Sequence, residues 1–154
     1  MHNLRLMAAG DIWLQTISGR HPFEEILHVF QDKDLLFGNL ETTLSETGER
    51  AEKHHVISTS PKAAQYLVDA GFDLISVANN HSTDLGLEGF TNTLAALESR
   101  GIQPVGGSVT EDRQDPVIIE RGGVSIGFIG YTTGRLPAAP GFVVNRLVAD
   151  DIMA

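Results

Sequence analysis

The sequence predicts an α/β domain with a mixed sheet. Three observations carry that expectation. Short apolar runs alternate with helix-forming segments through the first hundred residues, capping and stop residues bound those segments, and a Gly-Gly pair joins two β-rich runs further on. A length of 154 residues suits one domain with a sizeable core.

Residues 4–9, LRLMAA, read as a first strand that ends in Gly10-Asp11. Pro22 then starts a predicted helix, with Glu24 and Glu25 in its first turn and Phe23, Ile26, Leu27 and Phe30 on one face. Leu35-Leu36-Phe37 is a second strand and runs into Gly38-Asn39-Leu40-Glu41. Residues 45–53 form a polar loop, and residues 56–58 a short edge strand. Ser60-Pro61 starts a helix that Gly71 stops, Ser60 serving as N-cap.

Residues 73–78 are a third buried strand, followed by a helix over about 87–100 with Phe90, Leu94 and Leu97 inward and Gly101 as its stop. After a short extended piece at 102–105 comes PVIIERGGVSIGFIGYT, a hairpin whose Gly122-Gly123 turn needs positive φ twice. Ile118 and Ile126 are expected to face inward. The end, NRLVADDIMA, reads as the start of another helix, so residues 1–154 are expected to be one domain that forms the N-terminal portion of a longer one.

Composition narrows the functional classes. A net charge of -9 argues against a nucleic-acid surface, which needs clustered Lys and Arg. With no cysteine, disulfides, thiolate metal sites and cysteine nucleophiles are excluded. No apolar run approaches membrane-spanning length, and no signal-peptide core is visible.

Polar clusters follow three predicted core strands: Asp11, the pair Asn39 and Glu41, and the pair Asn80 and His81. If those strands are parallel, all three clusters share the carboxyl edge of the sheet, where open α/β sheets bind ligands. Carboxylates, amide oxygens and an imidazole make a hard ligand set suited to Mn, Fe, Zn or Mg. Each residue also has a plainer role: Asp11 in a turn, Glu41 as a solvated carboxylate, Asn79 or Asp84 as a helix cap, and His81 as a hydrogen-bonded histidine. His54 and His55 are adjacent, so in an extended segment they point to opposite faces. Trp13 reads as packing that could wall the site.

The stretch ANNHSTDLGLEGFTNTLAALESRGIQPVGG resembles the CapA family of bacterial capsule synthesis proteins, linked to poly-γ-glutamate. The blocks GDIWL, DLLFGNLETTL and GVSIGFIGYT agree in order, so the resemblance covers nearly the whole chain. It implies a calcineurin-like metallophosphoesterase fold, an α/β/β/α sandwich of two mixed sheets flanked by helices. It also implies Asp11, Glu41 with Asn39 beside it, and Asn80 as metal positions, and His81 as the residue that assists the transition state. No histidine follows His81, so the family's later histidine blocks have no counterpart here. The resulting expectation is a capsule-polymer biosynthesis protein, non-catalytic as this chain, with an incomplete site for divalent Mn, Fe or Zn. The alternative is a metal-dependent hydrolase of a phosphoester or a γ-glutamyl amide. The expected partners are an anionic polymer or a small phosphoester and a second copy of the chain. The chain reads as cytoplasmic as written and as cell-envelope by resemblance.

Overall fold

The computed structural model describes residues 3–15, 19–110, 114–133, 136 and 141–147. In chain order its strands are β1 (Leu6–Ile12), β2 (Leu35–Leu40), β3 (Thr43–Leu44), β4 (Ser58–Thr59), β5 (Leu74–Ser76), β6 (Gln103–Val105), β7 (Gly107–Ser108), β8 (Val117–Arg121), β9 (Val124–Phe128) and β10 (Val143–Val144). Its α-helices are α1 (Ala64–Ala70) and α2 (Gly86–Glu98). The fold is α/β. A four-stranded sheet runs β1-β2-β5-β6, with every neighbouring pair parallel. Among the described residues antiparallel pairing is confined to the β8–β9 hairpin and to β7–β10, while β3 and β4 form a short parallel pair.

The central strands are apolar on both sides because both faces of the sheet are covered. Adjacent side chains on a strand point opposite ways. Leu36 and Ile75 therefore join the core with Leu67 of α1 and Phe90, Leu94 and Leu97 of α2. Their neighbours Leu35 and Leu74, with Val105, meet Val117, Ile119, Ile126 and Phe128 of the hairpin. The layers are helices, parallel sheet and hairpin.

Gly122 and Gly123 turn the hairpin with φ of 56° and 78°, as the sequence led us to expect. Ile126 packs inward, but Ile118 does not: it is 58% exposed, and Ile119 takes the inward place. The register explains this, since Ile119 pairs with Ile126 whereas Ile118 pairs with Gly127, one step onto the other face.

The segment after Pro22 is not an α-helix. Its hydrogen bonds run mostly three residues back, ending in a 3-10 turn at Val29–Gln31. So short a helix is marginal without tertiary support, and here packing sets the geometry, with Phe23 and Phe30 meeting Phe72 tilted and edge-on at ring distances of 5.6 and 5.7 Å. Pro61–Ala63 likewise forms a 3-10 turn ahead of α1, and Ser60 makes no side-chain cap. Gly71, at φ 77°, ends α1 in the left-handed conformation. The last helix expected from Asn145 onward does not begin there, since residues 145–147 are extended and Arg146 bridges to Thr132; its remainder, beyond Leu147, lies outside the described residues. Among the described residues no helix is long and apolar enough to cross a membrane.

Candidate functional site

Parallel pairing puts the three polar clusters on one edge of the sheet. Asp11 of β1 is in register with Asn39 of β2, and Asn39 with Ser76 of β5. An irregularity between Ala8 and Asp11 shifts the β1 register just before that row. Such a bulge re-aims the side chain that follows it. Glu41 extends the pairing by one step, its N–H donating to the Ile12 carbonyl at 3.0 Å.

One amide ties the two carboxylates together. Asn39 Nδ2 donates to Asp11 Oδ1 at 2.8 Å and to Glu41 Oε1 at 3.3 Å. The orientation of that amide is fixed from behind. Asn79 Nδ2 donates to Asn39 Oδ1 at 3.0 Å and to the Leu40 carbonyl at 2.8 Å. Asn79 Oδ1 in turn accepts the His81 N–H at 2.9 Å, an Asx turn. Asn79 is buried and uses both ends of its amide, which explains why an aspartate would not serve there: it lacks the two donors.

His81 is anchored on its other side. Its Nδ1 lies 2.8 Å from Oδ2 of Asp84, a fully buried carboxylate. The same Nδ1 lies 3.3 Å from Lys53 Nζ, and Nε2 is left facing Glu41 Oε2 at 3.9 Å. Lys53 completes the group. Its ammonium pairs with Asp84 Oδ1, which accepts no hydrogen bond of regular geometry, and donates to the Asn80 carbonyl at 2.7 Å. Thr43 Oγ1 donates to the His81 carbonyl at 2.9 Å and pins the turn to β3.

Asp11, Asn39, Glu41 and His81 thus come together. Asn80 is exposed, and its described hydrogen bond runs through its backbone carbonyl. The amide that joins the cluster belongs to Asn79, which the sequence had offered as a cap. Asn39 presents its N–H2 group, not its oxygen, to the carboxylates. Sequence reading also gave no role to Lys53 and saw Asp84 only as a cap. The spacing His81-x-x-Asp84 was the available signal, because a turn brings i and i+3 together.

A pocket of about 560 Å³ opens beside the cluster, walled in part by Trp13, Gln15, Arg50, His54, His55 and His81. One expectation changes here. The chain bends at 52–54 instead of running extended, so His54 and His55 line the same pocket. Trp13 is 60% exposed and walls the pocket, the alternative to packing that the sequence left open.

Asp11 and Glu41, with His81 Nε2 near Glu41, fit a hard divalent cation in donor type. They are few in number: among the described residues no three His, Asp or Glu side chains are grouped closely enough to hold an ion.

The model of the bacterial capsule synthesis protein family PGA_cap matches residues 5–146, and the chain belongs to that family. It is 26% identical over 153 residues to the capsule biosynthesis protein CapA of Bacillus anthracis, covering 88% of this chain and 36% of that one. It is 27% identical over 114 residues to the PGA biosynthesis protein CapA of Bacillus subtilis, covering 71% and 30%. To a Mycobacterium tuberculosis protein named "Probable polyglutamine synthesis accessory protein" it is 37% identical over 93 residues, covering 58% and 24%. The chain therefore spans about a third or less of the length of these relatives.

Proposed function

We propose that this chain is part of a protein serving the biosynthesis of an anionic capsule polymer of the poly-γ-glutamate type. The strand-end cluster together with the pocket beside it is its contact with that polymer, and the chain by itself does not catalyse a reaction. The observation that carries this reading is the family match, whose span of 5–146 contains every residue of the cluster. A metallophosphoesterase-like α/β/β/α sandwich is the finer fold we assign; the layering of helices, parallel sheet and hairpin supports it.

In this reading Asp11 and Glu41, with His81 Nε2 beside Glu41, would give a divalent Mn, Fe or Zn ion only an incomplete set of ligands. Such an ion supplies charge stabilisation and a more acidic bound water. Asn39 holds the two carboxylates together, Asn79 orients Asn39, and Asp84 orients His81. A metal-dependent hydrolase is the second reading, and the Asp84–His81 pair beside Glu41 is the observation that favours it, since an oriented imidazole suits proton transfer.

Metal content and hydrolysis of a generic phosphodiester with Mn, Fe and Zn separate the two. The expected result is substoichiometric metal after purification, negligible turnover, no change in Asp11→Ala, and a dimer or larger species by light scattering. Full metal occupancy together with turnover that Asp11→Ala abolishes would overturn the non-catalytic reading and establish the hydrolase.

A further inference from the structure

The carboxylate–amide network leaves the neighbouring pocket unused. Arg50, His54, His55 and His81 all line it, and none of its described lining residues is Asp or Glu. That is unusual on a chain with 20 acidic residues against 11 Lys and Arg. Arg50 forms no ion pair with any described side chain. The bend at 52–54 turns both histidines toward the same space. Trp13 adds an exposed indole, a flat apolar surface with one N–H donor.

We propose that this pocket is an oxyanion subsite: it takes a carboxylate or phosphoryl group on Arg50 and the two histidines, with the attached carbon chain lying against Trp13. A guanidinium presents paired donors that match the geometry of either group. The carboxylates of Asp11 and Glu41 repel the same group, so they set the direction in which an anionic chain enters. His81 belongs to both places, lining the pocket while its Nε2 faces Glu41. A ligand seated by its anionic end therefore presents its adjoining bond beside His81. The choice of a carboxylate polymer as first probe rests on the polymer reading above; the subsite itself rests on the pocket.

Trp13 is the only tryptophan, so its fluorescence reports on this pocket directly. The full chain is titrated at low ionic strength, where exposed charges are least screened, with an oligo-γ-glutamate and separately with inorganic phosphate. The subsite predicts a saturable change in emission that Arg50→Ala weakens at least tenfold and His54→Gln/His55→Gln weakens further. Glu41→Gln is expected to bind as tightly or more tightly. Saturation by phosphate alone would support the oxyanion subsite while contradicting the polymer reading. Oligoglutamate binding seen by calorimetry, yet unaffected by Arg50→Ala, would overturn the subsite and leave the polymer reading standing. No saturable change with either probe, in a chain whose melting matches that of Arg50→Ala, would also overturn the subsite.

Discussion

Asp84→Ala is expected to lower the melting temperature by on the order of 10 °C, because removing one partner of a buried ion pair costs about 3–5 kcal/mol and each kcal/mol shifts a domain of this size by roughly 2–4 °C. Asp84 is fully buried, and three groups depend on its carboxylate. The Ile57 N–H donates to it at 2.6 Å, His81 Nδ1 lies at 2.8 Å, and Lys53 pairs with its other oxygen. Alanine leaves the Lys53 ammonium without its counter-charge and the Ile57 amide without an acceptor. Asp84→Asn keeps an acceptor for Ile57 and is expected to fall between the two. Thermal melts followed by circular dichroism check the order wild type, Asn, Ala. An alanine variant melting within about 2 °C of wild type would mean that the Lys53–Asp84–His81 group does not hold the turn.

Gly106→Ala should be the other severe change. Gly106 lies between β6 and β7 at φ 92°, in the left-handed region that side chains resist. A Cβ there would sit 2.6 Å from the Ala78 Cβ and 2.9 Å from the Gly130 carbonyl oxygen, atoms held by backbone that cannot swing away. The same residue is bonded on both sides: its N–H donates to Gln114 Oε1 at 2.5 Å and its carbonyl accepts the Asn145 N–H at 2.8 Å. Backbone strain and overpacking of about 1–3 kcal/mol each give an expected loss of about 2–6 kcal/mol. Gly10→Ala is the control. Nothing lies within 4 Å of its added Cβ and its φ is not positive, so its effect should stay within about 1 kcal/mol. Equal denaturation midpoints for the two variants would remove the close approach of Gly106 to Gly130 from the account.

The sheet edge was legible in the sequence because strand ends are local signals. A run such as Leu35-Leu36-Phe37 followed by Gly-Asn-Leu-Glu marks both a buried strand and the polar residues just past it. Parallel pairing then brings Asp11 and Asn39 into one row without further information. What stayed hidden depends on side-chain direction. Nothing local distinguishes Asn79 from Asn80; the Asx turn that sends one amide inward and leaves the other residue exposed is a property of the folded turn.

The same holds for His54 and His55, whose divergence in an extended chain disappears once the backbone bends. Asn145 was invisible for a different reason. It is 1% exposed and clamps the Gln114 backbone through both ends of its amide, at 3.0 Å each, across 31 residues of sequence. The segment after Pro22 carries a helical pattern of apolar residues, yet three phenylalanine rings at 5.6–6.1 Å set its conformation instead.

The central claim is that the strand-end cluster is the functional site. Paramagnetic broadening by Mn²⁺ tests it most directly, since the effect is local and visible even when the ion binds weakly. Manganese added in small amounts to the ¹⁵N-labelled chain is predicted to broaden the amide signals of residues 11–13, 39–41 and 79–82 first, and Glu41→Gln is predicted to abolish that pattern. Broadening centred instead on the exposed acidic residues Glu46, Glu49 and Glu52, unchanged in Glu41→Gln, would contradict it.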